Sequence, residues 1–441
     1  MKKDKLNSQF REQARKLSPK IGEQTLISKV YESFNKLLGV NNCIQIGSYP
    51  RFTSITPVHD LDILYILGSW DEVNHSPAYA LQSLYDQIER DYENPTDYNI
   101  EAGLQTHSVT ITYYHNGKEI LSVDIVPAFK YSKNEFQQDT YKVPEVLKKK
   151  HGERRNAFYK ELSEAHKQMD WIISDPRGYI KVATDTDQTS KGDFRKTVKI
   201  LKAWKMNLAE HNENLKLKSF HIEQIITKYF QENSGLEIFD AIFGFFIDLP
   251  SIIENPNKIA DRANNGKFID DYLAKLTINQ KQQIIKARDH FLMQLEEITD
   301  TNQFSTLLHV DFYVRKNEEK FLFDFGIPVC IDDTLSFEID GYLRKKDGFR
   351  EYAYKISTNG GRVGKKNSIK FRIEANSTSA NQYKWKVKND NSCSQPRGEI
   401  TDGKTRNDPE STAYAGNHHV ECFAIIDNLC IARSKQDVII S

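Results

Sequence analysis

The stretch GSYPRFTSITPVHDLDILYIL, residues 47–67, sets two carboxylates, Asp60 and Asp62, at the head of an apolar run, a dozen residues after a Gly-Ser pair. Side chains alternate along a strand, so both aspartates point to one face, with Cα atoms roughly 6–7 Å apart. Like charges at that spacing repel unless a cation lies between them. A third carboxylate, Asp124, stands in a second strand-like run, EILSVDIVPAF, residues 119–129. Pairing of the two strands would bring all three together. Three carboxylates suit Mg²⁺, which takes hard oxygen ligands and keeps part of its shell for phosphate and water. Two such ions about 3.5–4 Å apart would stabilise the attacking and leaving oxygens of an in-line phosphoryl displacement. Gly47 lets a phosphate approach the backbone. The Ser48 hydroxyl and nearby amides can donate to the β- and γ-phosphates of a nucleotide. An isolated Asp-x-Asp is most often a solvated strand; the Gly-Ser pair and Asp124 weigh against that here.

Outward from this stretch the pattern is mixed. Ile27, Val30, Tyr31, Phe34, Leu37 and Leu38 recur at helical spacing before Gly39, and CIQIG follows as a short strand. Residues 81–92 read as a helix, 108–114 as a strand, and Asn116-Gly117 as the turn of a hairpin. From about residue 140 to 310 the segments read as helices, KFIDDYLAKL among them. From about 322 short strands alternate with linkers rich in Gly, Asn, Ser and Lys, which suggests a small β-sandwich.

Composition narrows the class. The 441 residues contain 61 Lys plus Arg and 61 Asp plus Glu, so no global basic charge favours a long nucleic acid. Five cysteines, an odd and sparse set, argue against a disulfide framework and for a reducing compartment. The polar N-terminus has no signal-peptide core. The most apolar run, residues 238–253, is interrupted by Asp240, Asp248 and Pro250 and is too short to span a bilayer comfortably. A cytoplasmic protein with no membrane partner is expected.

Gly47-Ser48, Asp60-x-Asp62 and Asp124 together resemble the signature of the polymerase-β-like nucleotidyltransferases. The contexts TSITPVHDLDILYIL and SVDIVPAF are similar to one branch, the bacterial CD-NTases, relatives of cyclic GMP-AMP synthase and oligoadenylate synthase. The resemblance implies that Asp60, Asp62 and Asp124 hold two Mg²⁺ ions, for which Mn²⁺ can substitute. It further implies that Asp124 helps deprotonate the attacking hydroxyl, and that ATP, GTP or other NTPs are the substrates. On DFRKTVKILKAWKMNL, residues 193–208, Arg195, Lys199 and Lys202 share one helix face. Such a stripe is commonly a solvated face. The resemblance makes Lys199, Lys202 and Ser219 contacts of the donor triphosphate and Phe220, where the family has Tyr, the ring that stacks on the donor base. Phe keeps the stacking and loses the hydroxyl. Ser219 reads equally as a helix N-cap. Arg51 and Thr53 fall in the donor-site loop.

WKVKN, RGEI, TAYAGNHHVEC and CIAR, within residues 385–433, resemble the AGS-C sensor domain, which implies an unidentified ligand there. His419 and Cys422 have the spacing of a zinc ligand pair, although the strand-like pattern would turn them to opposite sides. Arg397 and Tyr414 read either as pocket residues or as structural ones. The expected fold is α+β: residues 1–21 an N-terminal helical segment, 22–135 a nucleotidyltransferase sheet domain, 136–315 a helical lobe and 325–441 an all-β sandwich. The implied activity is synthesis of a cyclic di- or trinucleotide messenger in anti-phage signalling, read by a separate effector. A linear-oligonucleotide synthase, a transferase acting on RNA or protein, and a non-enzymatic ligand sensor are the alternatives.

Overall fold

Two strands organise the sheet domain. β2 (Asp60–Ser69) and β5 (Lys118–Lys133) run parallel, with Asp62 opposite Asp124 and Asp60 opposite Ser122. The computed structural model describes residues 1–71, 74–105, 107–146, 169–211, 217–299, 303–304, 306–308, 315, 319–347, 350–403 and 408–441. β1 (Cys43–Ile46), β3 (Asn99–Leu104) and β4 (Val109–His115) complete the order β1-β2-β5-β4-β3. Asn116 and Gly117 both take positive φ in the β4–β5 turn, which matches the right-handed twist of the hairpin. The odd-numbered residues Leu61, Ile63, Val123 and Ile125 pack with Val30 and Phe34 of α2 (Ile21–Leu38) and Leu84 and Ile88 of α3 (Pro77–Asp91). The strand period of two therefore leaves Asp60, Asp62 and Asp124 on the sheet's other face.

The sheet continues past residue 135, where the sequence reading ends it. β6 (Asp139–Val146) pairs with the far end of β5, and β7 (Met169–Ser174) pairs with β6. Tyr141 and Val143 of β6 are buried beside Val126 and Ala128. Pro144 inside β6 and the outer position of β7 mask these strands in the sequence.

The helical lobe consists of α1 (Lys3–Lys16), α4 (Pro176–Thr189), α5 (Asp193–His211), α6 (Ser219–Glu232), α7 (Ile238–Glu254) and α8 (Ile278–Glu297). Leu6 and Phe10 of α1 join Leu201 and Trp204 of α5, Phe245 and Phe246 of α7 and Phe291 of α8 in one core. Arg11 fastens α1 to α5 by donating from Nε and Nη2 to Asp193, at 2.9 and 2.7 Å. α7 is apolar almost all round and carries Pro250 in its interior. Proline has no N–H for the Phe246 carbonyl one turn earlier. Arg288 of α8 supplies the missing donor, Nε to Phe246 O at 2.7 Å. No helix among the described residues is long and apolar enough to cross a membrane.

KFIDDYLAKL does not form the expected helix. β8 (Ala260–Asp261) and β9 (Asn264–Phe268) make a small hairpin, followed by a 3-10 turn at Asp271–Lys275. The buried Asp270 carboxylate accepts from the backbone N–H of Lys258 and Ile259, at 2.8 and 3.0 Å, and pins the chain in this reversal.

The C-terminal region is a sandwich. One sheet has the order β11 (Arg350–Lys355), β10 (Phe337–Asp347), β13 (Ser368–Asn376), β16 (Glu410–Ser411). The other runs β12 (Arg362–Val363), β18 (Leu429–Ile440), β17 (Gly416–Ile426), β14 (Gln382–Lys388), β15 (Ile400–Asp402). Phe337, Ile339, Phe371, Trp385, Cys422 and Val438 fill the space between them. Residues 319–332 strap the sandwich to the lobe. Glu319 pairs with Lys386 and Lys388 of β14, and Cys330 N donates to Cys430 O of β18. On the lobe side, Glu296 of α8 accepts from the N–H of Leu322 and Phe323. All five cysteines are free thiols.

Candidate active site

The open face of the sheet, the middle of α5 and the start of α6 enclose a cavity of about 820 Å³. Asp60, Asp62 and Asp124 line one wall; Arg51, Lys202, Ser219 and Phe220 line another; Gly47 and Ser48 lie between. Of the sequence-derived residues, those nine are brought to one cavity.

Burial pushes the Asp62 carboxyl up to about 7, with Asp124 and Asp60 adding to the shift and Arg51 and Lys202 opposing it. Asp60 is raised too, first by burial and then by Asp124. The Ser108 hydroxyl donates to Oδ1 of Asp124 at 3.3 Å, and the Thr110 hydroxyl donates to the same oxygen. Among the described residues no three His, Cys, Asp or Glu side chains close around a point as a ligand set. Burial first, then the neighbouring carboxylates, raise Asp60 and Asp62, and the repulsive part of that shift is what a divalent ion would relieve. The donor set is all hard oxygen, which fits Mg²⁺ or Mn²⁺.

Gly47 has φ +75°, and a Cβ there would run into the Asp62 carboxylate. The glycine is thus required by the approach of Asp62 as well as by any phosphate. The loop that follows is tied from several sides. Thr53 N donates to Ser48 O at 3.1 Å, Thr56 N to Leu17 O at 2.8 Å, and Val58 N to the Glu23 carboxylate at 2.8 Å.

The basic face of α5 is not solvated. Arg195 donates to Arg51 O at 2.9 Å, pairs with Asp187 at 3.0 Å, and lies over the Phe52 ring. Lys202 is buried against Thr53 and Glu223. Lys199 lies outside the cavity lining and donates to Ser18 Oγ at 2.7 Å; burial, then Arg195, pushes its ammonium down to about 8. Thr53 is fully buried behind the wall. Ser219 is the first residue of α6, with Lys218 at the N-cap position and no side-chain cap bond. Ser219 itself lines the cavity. The Phe220 ring has Tyr179 edge-on, centroids 4.9 Å apart, and the Arg51 guanidinium 5.3 Å away.

The cavity also takes in residues that the sequence reading passed over: His59, Gln105, Glu119, Ser122, Pro144, Ser174 and Met206. Lys205, one turn beyond Lys202, is lowered by burial while Asp60 works against the shift. The most buried of the missed groups is Glu223 on α6, which touches Arg51, Thr53 and Lys202.

The structure does not bring the pair of the zinc alternative together. His419 and Cys422 are three residues apart on β17 and face opposite sides of the strand. Cys422 is fully buried in the sandwich core, whereas His419 stands beside Glu421, its imidazole pushed down to about 4 by burial. Arg397 pairs with Glu399 and Glu410.

The parallel strand pair thus carries three carboxylates opposite a cationic wall. Two family models match the chain: residues 5–153 the Second Messenger Oligonucleotide or Dinucleotide Synthetase domain, and residues 315–441 the Adenylyl/Guanylyl and SMODS C-terminal sensor domain. The chain belongs to the bacterial CD-NTases, the cyclic nucleotide synthase family of nucleotidyltransferases, and carries a C-terminal AGS-C domain. Among curated relatives, a probable cyclic nucleotide synthase of Bacillus cereus is 24% identical over 277 residues, 57% of this chain and 75% of the relative. The cyclic AMP-AMP-AMP synthase of Escherichia coli is 25% identical over 244 residues, 55% of this chain and 64% of the relative. Among solved structures, E. coli CdnC with ATP aligns at 18% identity and TM-score 0.49, covering 69% of this chain and 95% of that one.

Proposed function

We propose that the cleft binds an NTP donor and a second nucleotide and joins them, and that repetition of the step closes a cyclic di- or trinucleotide. The observation that carries this reading is the facing arrangement of Asp60, Asp62 and Asp124 on one wall and Arg51, Lys202 and Ser219 on the other. The 2′ or 3′ hydroxyl oxygen of the acceptor forms a bond to the donor α-phosphorus. The bond from that phosphorus to the β-bridging oxygen breaks, and pyrophosphate leaves with the electron pair. Oδ1 of Asp124 is engaged by Ser108 and Thr110, so Oδ2 is the oxygen that takes the hydroxyl proton. Ser48, Arg51 and Ser219 bind the triphosphate, and the charge of Lys202 balances it. Phe220 stacks on the donor base. Asp60, Asp62 and Asp124 would hold Mg²⁺, or Mn²⁺ in its place, which supplies Lewis-acid stabilisation of charge on the transferring group. The product acts as a second messenger in anti-phage signalling, read by a separate effector in the cytoplasm, and the AGS-C domain holds a ligand that governs synthesis.

The test is incubation with α-³²P-labelled NTPs and Mg²⁺ or Mn²⁺, followed by phosphatase. Oligonucleotide product that keeps all of its label after phosphatase, with one pyrophosphate released per nucleotide incorporated, supports the cyclic product. Product that loses the 5′-terminal share of its label, with less than one pyrophosphate per nucleotide, makes the protein a linear-oligonucleotide synthase. Absence of pyrophosphate with every NTP and candidate activator favours a ligand-sensing scaffold. Asp60→Ala and Asp62→Ala should each abolish pyrophosphate release while the far-ultraviolet circular dichroism stays that of the wild type. An active double variant would overturn the metal-site assignment.

A further inference from the structure

The cationic wall of the cleft rests on one carboxylate. The Glu223 side chain on α6 is 1% exposed, in the turn that follows Ser219 and Phe220. Its Oε1 accepts from Arg51 Nε at 2.6 Å. Its Oε2 accepts from Arg51 Nη2 at 3.4 Å, Thr53 Oγ1 at 2.9 Å and Lys202 Nζ at 3.1 Å. One side chain thereby joins the donor-site loop, α5 and α6. Arg51 and Lys202 line the cavity; Glu223 stands behind them and does not.

The two cations are left in different states. Lys202 has three N–H donors, and all are engaged, by Thr53 O at 3.1 Å, Thr53 Oγ1 at 3.0 Å and Glu223. It acts on the cleft as a fixed charge. Arg51 keeps guanidinium N–H groups that make no hydrogen bond among the described residues, and a guanidinium matches phosphate geometry well. Without a carboxylate between them, two buried cations would repel, and each would carry an uncompensated desolvation cost. Burial disfavours the ionised carboxyl, but Lys202 and Arg51 outweigh it and hold Glu223 down at about 2.

We propose that Glu223 is a positioning residue for the donor nucleotide, fixing Arg51 as the hydrogen-bonding arm for the triphosphate and Lys202 as the stationary charge behind it. The inference rests on the reading of the cleft as an NTP site. Its test compares wild type, Glu223→Gln and Glu223→Asp by pyrophosphate-release kinetics and by calorimetric titration with inorganic triphosphate in Mg²⁺. In Glu223→Gln the KM for NTP should rise about 10- to 100-fold with kcat within about threefold, and triphosphate should bind at least about tenfold more weakly. Glu223→Asp, which keeps the charge, should recover part of both. A folded Glu223→Gln protein with unchanged KM and triphosphate affinity overturns the inference, as does a fall in kcat alone, which is the mark of a purely structural role. Should Glu223→Gln not fold, Thr53→Val, which removes one donor to the carboxylate, is read in the same way: a raised KM supports the inference and an unchanged one overturns it. A wild-type protein that binds triphosphate yet releases no pyrophosphate from any NTP sinks the reading of function, and the titration still judges Glu223.

Discussion

At the scale of single residues, the site is a set of carboxylates the fold leaves unneutralised and a set of cations it neutralises with care. Asp60, Asp62 and Asp124 were legible in the sequence because a strand exposes its period of two directly, and their apolar neighbours Leu61 and Val123 declare which face is core. Glu223 was not legible, because a glutamate on a helix ordinarily reads as solvent-facing. The signal it did give is its setting among Ile222, Ile225 and Ile226, all buried, where a charge demands a buried partner. Gly47 was read as room for phosphate, and the structure adds that it is room for Asp62. Gly47→Ala should therefore lose roughly 2 kcal/mol of stability, from positive φ and the clash with Asp62 together, and cut pyrophosphate release at least about tenfold. Thermal unfolding and turnover of the variant check this, and wild-type values for both would refute it.

At the scale of elements, the helices of the lobe announced themselves by apolar periodicity, and α7 did so despite Pro250. What periodicity does not carry is the cross-element repair of the carbonyl that Pro250 orphans, since Arg288 lies on another helix. Arg288→Met should cost about 1–3 kcal/mol, because a buried carbonyl loses its donor. Adding Pro250→Ala should return a large part of that loss, since the new backbone N–H can serve the Phe246 carbonyl. Urea unfolding of the two single variants and the double variant decides it; strict additivity would show that Arg288 matters only for its pairing with Asp289, at 2.6 Å. β6 and β7 escaped the sequence reading for a related reason, since these strands of six and eight residues draw their stability from the sheet and carry little pattern of their own.

At the scale of the whole molecule, the sandwich was legible from its short alternating strands, and the strap of residues 319–332 was not, because its contacts are single bonds to distant elements. Glu296, half-buried, ties that joint from the lobe side. Burial pushes its carboxyl up to about 8, with Glu297 adding to the shift and the Leu322 and Phe323 amides and Lys386 opposing it. An acid whose folded pKa is raised contributes stability that is fully present below its unfolded value near 4.5 and is lost as pH rises through about 8. Unfolding free energy should fall by on the order of 4 kcal/mol across that window. Glu296→Gln should flatten this component of the profile; urea titrations at pH 5 and pH 8.5 are the check, and equal slopes in both proteins would refute it. The strap has a further consequence. A ligand of the sandwich that changes nucleotide affinity through this joint must have its own affinity changed by nucleotide by the same factor. Were the sandwich to hold such a ligand, loading the cleft with an unreactive nucleotide would change its retention, and small molecules retained differently by the loaded and empty protein would be those the joint reports on.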